Sequence, residues 1–429
     1  MALQQVLTDT SQDGSPVGGR GRLSGVDAAR GIALLGMMSV HIIPALDETG
    51  RTSTAFLVAS GRASALFAVL AGVGLALTTG GPHPYRDKRL LATRSGLIAR
   101  AGLLALLGLT LGAVDTPVAI ILVYYALLFV CALPFLSLGA RALAPLAVGW
   151  ALLAPALSHM VRSSLYESGG GNPTFGSLAE PGALVTELVL TGYYPVLPWM
   201  AYLLAGLAVG RLALDSPRVA AGLLVGGAGL ALLAKAVSWT LLYPLGGLDR
   251  IEGSPVVERR LSTSLGGTTP TTSWWWLAVS GPHSGTPLDL LHTIGTALGV
   301  LGACLLVVRV AAPLLTPLVA AGGMTLTLYT LHVVALGAAG SGGDGAALLI
   351  VHVIVALAFA LTWRAHHRRG PLEAVVSAAD RSVRTFTSKS GGLGAKPKMA
   401  PWLARRARTA SVAPGPPARP RRIRHRGGV

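Results

Sequence analysis

Three side chains capable of acid–base chemistry lie in one apolar stretch, RLSGVDAARGIALLGMMSVHIIPAL at residues 22–46. They are Asp27, Arg30 and His41. On an α-helix, the eleven-residue step from Arg30 to His41 leaves these side chains roughly 20° apart in azimuth and about 16 Å apart along the axis. Asp27 lies one turn before Arg30, where its carboxylate can pair with the guanidinium. The spacing therefore predicts one polar stripe that joins an ion pair to a histidine.

The chemistry of this stripe depends on His41. Imidazole changes its charge near neutral pH and is the commonest general base. A lone histidine in an apolar helix equally well serves packing, through a hydrogen bond to a neighbouring helix. Charged residues inside a membrane cost about 2.5–3.5 kcal/mol each on insertion scales, so a stripe of three is hard to explain by packing. We predict that His41 is a base facing a polar cavity, supported by Asp27 and Arg30.

The composition indicates a polytopic helical membrane protein. Hydrophobic residues make up 52% of the 429 residues and charged residues only 12%, with a mean hydropathy of +0.60. Apolar runs of the length that crosses about 30 Å of hydrocarbon recur along the chain. We predict an all-α fold of about ten transmembrane helices, at residues 24–46, 55–79, 96–114, 117–136, 141–160, 191–213, 218–244, 288–310, 315–338 and 345–364.

The basic residues indicate the orientation of the chain. From Arg364 to the end, 16 Lys and Arg stand against two acidic residues, so most of the net charge of +17 belongs to the tail. A basic segment after a last span marks the cytoplasmic side, and nucleic acid is not the expected partner. We predict a disordered leader at 1–21, a transmembrane domain at 22–375, a disordered tail at 376–429, cytoplasmic termini and a place in the cytoplasmic membrane.

Several other residues are candidates for a site, each with a simpler alternative. Arg62, just inside the second span, either snorkels to the interface or is a cavity cation for an anionic acceptor or a thioester oxygen. Tyr329 and His332 share a helix face and line the same cavity, or are satisfied core residues. His283 and Asp289 flank the eighth span near the outer face, where loop structure and helix capping explain them as well.

Two further features concern the outer side. Pro195, Pro198 and Trp199 interrupt the start of the sixth span, which predicts a broken helix beside protein or a water-filled cavity. The run Trp274–Trp276 is either an interfacial anchor or a platform for a sugar ring. Lys235, deep in the seventh span, has no predicted role. No metal-ligand spacing is present, so we expect no metal.

At the level of motifs, the chain resembles membrane acyltransferases. The spacing Arg30, ten residues, His41 resembles the first-helix motif of the acyltransferase-3 family. The strings GVDAARGIALLGMMSVH, GRASALFAVLAGVGLAL, TGYYPVLPWMAYLLAGLAVGRL, PHSGTPLDLLHTIGTAL, GGMTLTLYTLHVV and RGPLE more closely resemble bacterial proteins named for the catalytic domain of heparan-α-glucosaminide N-acetyltransferase. The resemblance covers roughly residues 22–375.

This resemblance implies transfer of an acyl group, commonly acetyl from cytoplasmic acetyl-CoA, to a glycan or glycolipid acceptor at the outer face. His41 is then the catalytic histidine, and Arg30 is structural or faces CoA. The lysosomal enzyme's histidine lies in the loop after the first helix, and that loop here, DETGRTSTAF, contains none, which favours direct transfer. A basic cluster has the right sign for CoA phosphates, although topology explains it equally well: Arg86, Lys88, Arg89 and Arg94.

Two other functions fit the same stripe. In a transporter or exporter, Asp27, Arg30 and His41 form a proton or substrate path and nothing is acylated. In an envelope scaffold the stripe only fixes helix packing. The sequence leaves a homodimer open, and the lipid bilayer is the one partner that the composition itself requires.

Overall fold

A computed structural model describes residues 23–165, 171–339 and 345–390. Over these ranges the chain is all-α, as predicted, with no β-strand and a single isolated bridge between Leu46 and Thr52. The predicted leader at 1–21 and the tail beyond residue 390 lie outside the described residues.

The described residues form fifteen α-helices joined by short 3₁₀ segments and one π-helix. The first five helices are α1 Ser24–Ile42, α2 Thr54–Ala59, α3 Arg62–Thr78, α4 Lys88–Gly112 and α5 Leu122–Cys131. The next five are α6 Ala140–Arg162, α7 Pro181–Thr186, α8 Val196–Gly210, α9 Pro217–Leu242 and α10 Pro255–Ser262. The last five are α11 Pro287–Val310, α12 Ala312–Gly322, α13 Thr325–Ala339, α14 Gly345–His366 and α15 Pro371–Ser390.

The helices have the length and composition of a multi-pass membrane protein. In the described ranges six helices are long and apolar enough to cross a membrane, with α2 and α3 together forming one of them. Two bent pairs raise this number to eight. The first bent pair is α7 with its π-helical continuation and α8, and the second is α12 and α13. Ten spans and cytoplasmic termini stay predictions.

The bend before α8 confirms the broken sixth span. A π-helix at Glu187–Thr191 leads to a non-helical break, and the segments on either side differ in direction by 55°. Pro195 lies at the N-cap of α8, where its missing N–H breaks no helical hydrogen bond. Trp199 follows in the first turn and is buried.

The predicted ninth span is not one straight helix, because α12 and α13 meet at an angle of 66°. The break falls at Gly323 and Met324, directly after Gly322. A side chain on Gly322 would collide with the carbonyl oxygen of Asp27, and one on Gly31 would collide with that of Leu318. The small residues thus let α12 approach the ion-pair end of α1 closely, as small residues do between membrane helices.

The predicted fourth span is shorter than expected. Only Leu122–Cys131 is α-helical, and the residues just before it are not. The Asn172 side chain replaces helical hydrogen bonds there, since its amide donates to the Val118 carbonyl (2.9 Å) and its oxygen accepts from the Ile120 N–H (2.7 Å). A segment whose backbone is satisfied by a side chain need not be helical.

The tail prediction is wrong for residues 376–390, because α15 continues through them. Its sequence alternates apolar and charged residues at helical spacing, and α15 packs along α4. The close approach occurs at Gly96, where an added side chain would meet Asp380 and Arg384 of α15. The domain therefore extends past residue 375.

Candidate functional site

The predicted ion pair in α1 is present. Arg30 Nη1 lies 3.2 Å from Asp27 Oδ1, and the side chains are 28% and 2% exposed. The guanidinium extends over α3 at Gly74, where an added Cβ would be 2.8 Å from Arg30 Nη2. Arg30 can reach this position because position 74 has no side chain. The small residues of α3 thus admit the arginine of the first helix.

Arg30 faces a large cavity at the end of the bundle where α15 packs, which we term the α15 cavity. Its volume is about 1110 Å³, at or above the upper end of the roughly 300–1,000 Å³ typical of small-molecule sites. Residues of α1, α3, α4, α5, α13 and α15 line it. Along α1 the lining runs from Leu23 to Met37, and from α13 it includes Tyr329.

Arginines from three parts of the chain line this cavity: Arg30, Arg100, Arg369, Arg381 and Arg384. Arg384 pairs with Asp380 at 2.8 Å. Arg100 lies over the ring of Phe129, 5.2 Å from its centroid. Among the described residues, no salt bridge involves Arg100, Arg369 or Arg381, although the carboxylates of Asp380 and Glu373 lie within electrostatic range of Arg100.

The basic cluster predicted for CoA does not line the cavity. Arg86, Lys88 and Arg89 are exposed at the start of α4, and the lining residues of α4 begin further along, at Thr93. The arginines of the α15 cavity are thus a second set of cations with the right sign for phosphates. Arg100 carried no signal in the sequence beyond its presence in an apolar helix, and Arg381 and Arg384 belong to the segment expected to be disordered.

Two buried tyrosines close the far end of the cavity. The hydroxyl of Tyr125 makes no hydrogen bond within the described part of the chain. The hydroxyl of Tyr329 points towards the backbone of Ile121 without forming a well-aligned hydrogen bond. Both side chains are 4% exposed, and both line the cavity. Buried hydroxyls of this kind can donate to an oxygen of a bound molecule.

His41 lies one turn beyond this end of the cavity. It is four residues after Met37 on α1, about 6 Å along the axis, and His332 is three residues after Tyr329 on α13. His41 Nδ1 and His332 Nε2 are 3.2 Å apart. The ring of His332 packs edge-on against His352 of α14, with centroids 5.3 Å apart. His352 was not predicted from the sequence, although a histidine within an apolar span was a signal for it.

A second polar group surrounds the start of α11, at the opposite end of the bundle from α15. We term it the α11 cluster, and its members are Arg62, Lys235, His283, Asp289 and His292. Arg62 donates to His292 Nε2 (3.3 Å) and to the Leu57 carbonyl (2.7 Å). Lys235 donates to the Ser280 carbonyl (3.1 Å). Both cations lie within electrostatic range of Asp289.

Asp289 combines a structural role with an unused oxygen. Its Oδ2 accepts from the N–H groups of Ser284 and Gly285, at 3.2 and 3.1 Å. Its own N–H donates to the hydroxyl of Thr286, which caps α11. The capping interpretation of this region is therefore correct. Asp289 Oδ1, however, is buried without a hydrogen-bond partner in the described residues, and such an atom is costly unless a ligand or water binds it.

His283 of the α11 cluster lies within electrostatic range of His41. Its backbone has φ = 54°, a left-handed conformation that few non-glycine residues adopt and that concentrates at functional sites. Burial of the ring, together with the nearby His41, lowers the pKa of His283 to about 3. His283 is therefore neutral at pH 7, and its Nδ1 has no partner among the described residues.

The aromatic candidates separate into core and surface residues. Trp199 is 3% exposed and packs edge-on between Tyr194 and Tyr202, at centroid distances of 4.9 and 5.0 Å, so it is a core residue. Trp276 is buried in a small core of its own, whereas Trp274 is 56% exposed. A flat platform of three tryptophans for a sugar ring is thus absent from this described segment.

Comparison with known families agrees with this arrangement. A sequence profile of the family described as heparan-alpha-glucosaminide N-acetyltransferase, catalytic, matches residues 22–241, just over half of the chain. The chain belongs to this family. A search of curated proteins finds no match. The family and the apolar helices together indicate that the protein belongs to a family of membrane acetyltransferases.

The part that matches the N-acetyltransferase family holds Asp27, Arg30, His41 and Arg62. His332, His352 and α15 lie outside the matched residues, and their place at the site is seen only in the structure. Among the described residues, no three His, Cys, Asp or Glu side chains come together in an arrangement that could hold a metal ion.

Glu373 of the RGPLE motif links α15 to the helix that carries Tyr329 and His332. Its Oε1 accepts from the N–H groups of Leu326 and Thr327, at 2.7 and 3.2 Å, and its Oε2 accepts from the Thr327 hydroxyl at 2.6 Å. A carboxylate at a helix N-terminus satisfies free donors and complements the helix dipole. The RGPLE motif thus has a structural role, because Glu373 at the start of α15 caps the N-terminus of α13.

We expect Glu373→Ala to lower the free energy of unfolding by about 1–2 kcal/mol, the usual effect of losing a cap. Glu373→Gln, which keeps the acceptor oxygen but not the charge, should lose less. Thermal unfolding in detergent measures both changes. Substitution of exposed Ser382 by Ala on the same helix is the control, and equal melting temperatures for Glu373→Ala and this control would contradict the capping role.

Proposed function

We propose that this protein is a membrane-bound acyltransferase that moves an acyl group, in the first instance acetyl, from cytoplasmic acyl-CoA to a cell-envelope glycan or glycolipid on the outer side of the cytoplasmic membrane. The α15 cavity takes the donor, His41 is the general base, and the α11 cluster receives the acceptor. Direct transfer without an acyl-enzyme is part of the proposal.

One observation carries the proposal. A single cavity combines a group of arginines near α15 with an inner end one helical turn from a histidine pair. Acyl-CoA has the matching polarity, since its phosphates are anionic and lie far from its thioester. Arginine suits phosphates because its guanidinium donates two parallel hydrogen bonds. The arginines on and beside α15 lie at the end of the bundle predicted to be cytoplasmic.

The proposed chemistry needs one proton transfer and one bond exchange. His41 takes the proton from the acceptor's O–H or N–H as that atom attacks the thioester carbon. The carbonyl oxygen becomes an oxyanion. The hydroxyls of Tyr125 and Tyr329, at the end of the cavity, donate hydrogen bonds to it, and one such donor lowers the activation free energy by about 2.7–4 kcal/mol. The C–S bond then breaks, and the leaving thiolate takes the proton from His41.

The α11 cluster supports an acceptor that carries a hydroxyl or amine and a negative group. Asp289 Oδ1 is free to accept a hydrogen bond from the acceptor. Arg62 and Lys235 together exceed the charge of the one carboxylate between them, which favours an anionic substituent. We therefore propose that Arg62 binds the acceptor, which is the cavity-cation interpretation of this residue from the sequence.

We expect Arg100→Ala to weaken binding of CoA by about 10-fold or more, because a hydrogen bond between charged groups contributes about 1.5–3 kcal/mol. A thermal-shift titration with CoA measures the effect. Arg218→Ala, an exposed arginine at the start of α9 outside the cavity, is the control. If Arg89→Ala weakens binding and Arg100→Ala does not, the cluster at the start of α4 holds the phosphates instead.

The same titration tests the function itself. Stabilisation of the wild-type protein by CoA at millimolar concentration, and transfer of a labelled acetyl group to membrane glycans, are the expected results. Movement of a substrate across vesicles without any acyl donor, with no stabilisation by CoA, would instead support the transporter interpretation.

A further inference from the structure

Three histidines from three helices lie in a row at the end of the α15 cavity. They are His41 of α1, His332 of α13 and His352 of α14. The rings of His41 and His332 are within 17° of parallel, and their centroids are 5.4 Å apart while the nitrogens Nδ1 and Nε2 are 3.2 Å apart. The nitrogens are thus the closest atoms, as a hydrogen bond between two imidazoles requires.

The hydrogen on His352 is fixed by its own helix. His352 Nδ1 lies 3.0 Å from the Leu348 carbonyl oxygen, one turn earlier on α14. A carbonyl oxygen only accepts hydrogen bonds, so Nδ1 of His352 must carry the hydrogen. In the neutral imidazole, which has a single N–H, Nε2 of His352 is then a bare acceptor. Within the described residues it has no partner.

His332 has the matching free atom. Its Nδ1 is also buried without a partner, and its ring is the one that packs against His352. A hydrogen on Nδ1 of His332 can be donated towards Nε2 of His352, directly after a small ring rotation or through one water. In this tautomer Nε2 of His332 is bare, and it accepts the hydrogen on Nδ1 of His41.

We propose that His332 and His352 fix the tautomer of His41, so that Nε2 of His41 is the bare nitrogen that takes the acceptor's proton. His332 is a positioning residue, and the Leu348 carbonyl is the fixed end of the chain. Histidine tautomers can be assigned from a hydrogen-bond network in this way when one terminal group, here the Leu348 carbonyl, can only accept. The inference rests on the proposed role of His41 as the base.

The arrangement also stabilises the charged intermediate. When Nε2 of His41 takes the acceptor's proton, the ring becomes an imidazolium whose Nδ1–H still donates to Nε2 of His332. The proton then passes from Nε2 to the leaving thiolate, and the chain returns to its starting tautomers. His283, another titratable group near His41, is neutral at pH 7 and therefore adds no repulsive positive charge beside the imidazolium. The row of histidines thus orients His41, as a carboxylate does in other general-base systems, but through a hydrogen bond that carries no negative charge.

Substitutions at His332 separate this role from packing. His332→Leu removes the acceptor for His41, and we expect kcat to fall on the order of 10²-fold with an unchanged KM for the donor. His332→Gln offers an oxygen to His41 and an N–H towards His352, and we expect a kcat within about 5-fold of wild type. His352→Leu should lie between the two.

His366→Leu is the matched control. His366 lies on the same helix as His352 and makes the same contact, from Nδ1 to the carbonyl oxygen four residues earlier, at 3.1 Å. It is exposed and contacts neither His41 nor His332, so kcat should not change. Wild-type kcat in His332→Leu, or an equally large loss in His332→Gln, would overturn the inference.

A measurement without turnover keeps the inference independent of the enzyme assay. Nitrogen chemical shifts of ¹⁵N-histidine-labelled protein distinguish an N–H from a bare nitrogen. We expect His41 to carry its hydrogen on Nδ1 in the wild type and in His332→Gln, and to shift towards a mixture in His332→Leu. The opposite tautomer in the wild type would refute the histidine chain. Absence of acyl transfer by wild-type protein with the expected tautomer would refute the proposed function alone.

Discussion

His41→Ala is expected to lower acyl transfer by about 10²–10⁴-fold, the range for loss of a general base. The donor's affinity should not change, because the cavity lining on α1 ends at Met37, one turn before His41. The loss should therefore appear in kcat and not in the Kd for CoA. A radiolabelled acetyl-CoA assay and a thermal-shift titration with CoA on the same preparation measure the two quantities.

Two further variants strengthen this test. His41→Gln keeps the size and polarity of the side chain but cannot take a proton, so it should be as inactive as His41→Ala. His367→Ala, an exposed histidine that stacks on Trp363, should keep full activity. Full transfer by a folded His41→Ala protein would remove His41 from the chemistry, and would leave Tyr125 and Tyr329 without a base beside them.

The polar stripe of α1 was predictable because it depends on helix geometry alone. The spacing of Asp27, Arg30 and His41 fixes their relative positions on any helix, so their common face and the ion pair followed from the sequence. The broken sixth span was predictable for a similar reason. Pro195 and Pro198 act on the backbone locally, whatever surrounds them.

The contents of the cavity were not predictable, because they depend on contacts between distant segments. Arg100 becomes a cavity residue only because α15 packs along α4, and that packing depends on Gly96. The break between α12 and α13 depends on how closely Gly322 approaches α1. His332 was a candidate from its place beside Tyr329, but its partner His41 lies 291 positions away. No local pattern indicates such a pair.

Arg211 is a buried arginine that joins several helix ends. It follows α8 directly and is 4% exposed. Its guanidinium donates to the carbonyls of Ala76 (2.9 Å) and Gly81 (2.9 Å) at the end of α3. It also donates to the Leu136 carbonyl (2.6 Å) and the Leu138 carbonyl (3.2 Å), beyond α5. One buried side chain thus joins the ends of three helices beside the α15 cavity.

We expect Arg211→Met to lower the free energy of unfolding on the order of 3–5 kcal/mol, because several buried carbonyls lose their donor at about 1–3 kcal/mol each. The helix dipole adds to the loss, since the guanidinium lies at the negative C-terminal end of α3. Arg211→Lys should be intermediate, because an ammonium has three donors on one atom and cannot reach all the acceptors. Arg218→Ala, at an exposed arginine at the start of α9, should stay within about 0.5 kcal/mol of wild type. Reversible unfolding in detergent micelles measures all three, and an Arg211→Met protein as stable as Arg218→Ala would show that these hydrogen bonds do not hold the helix ends together.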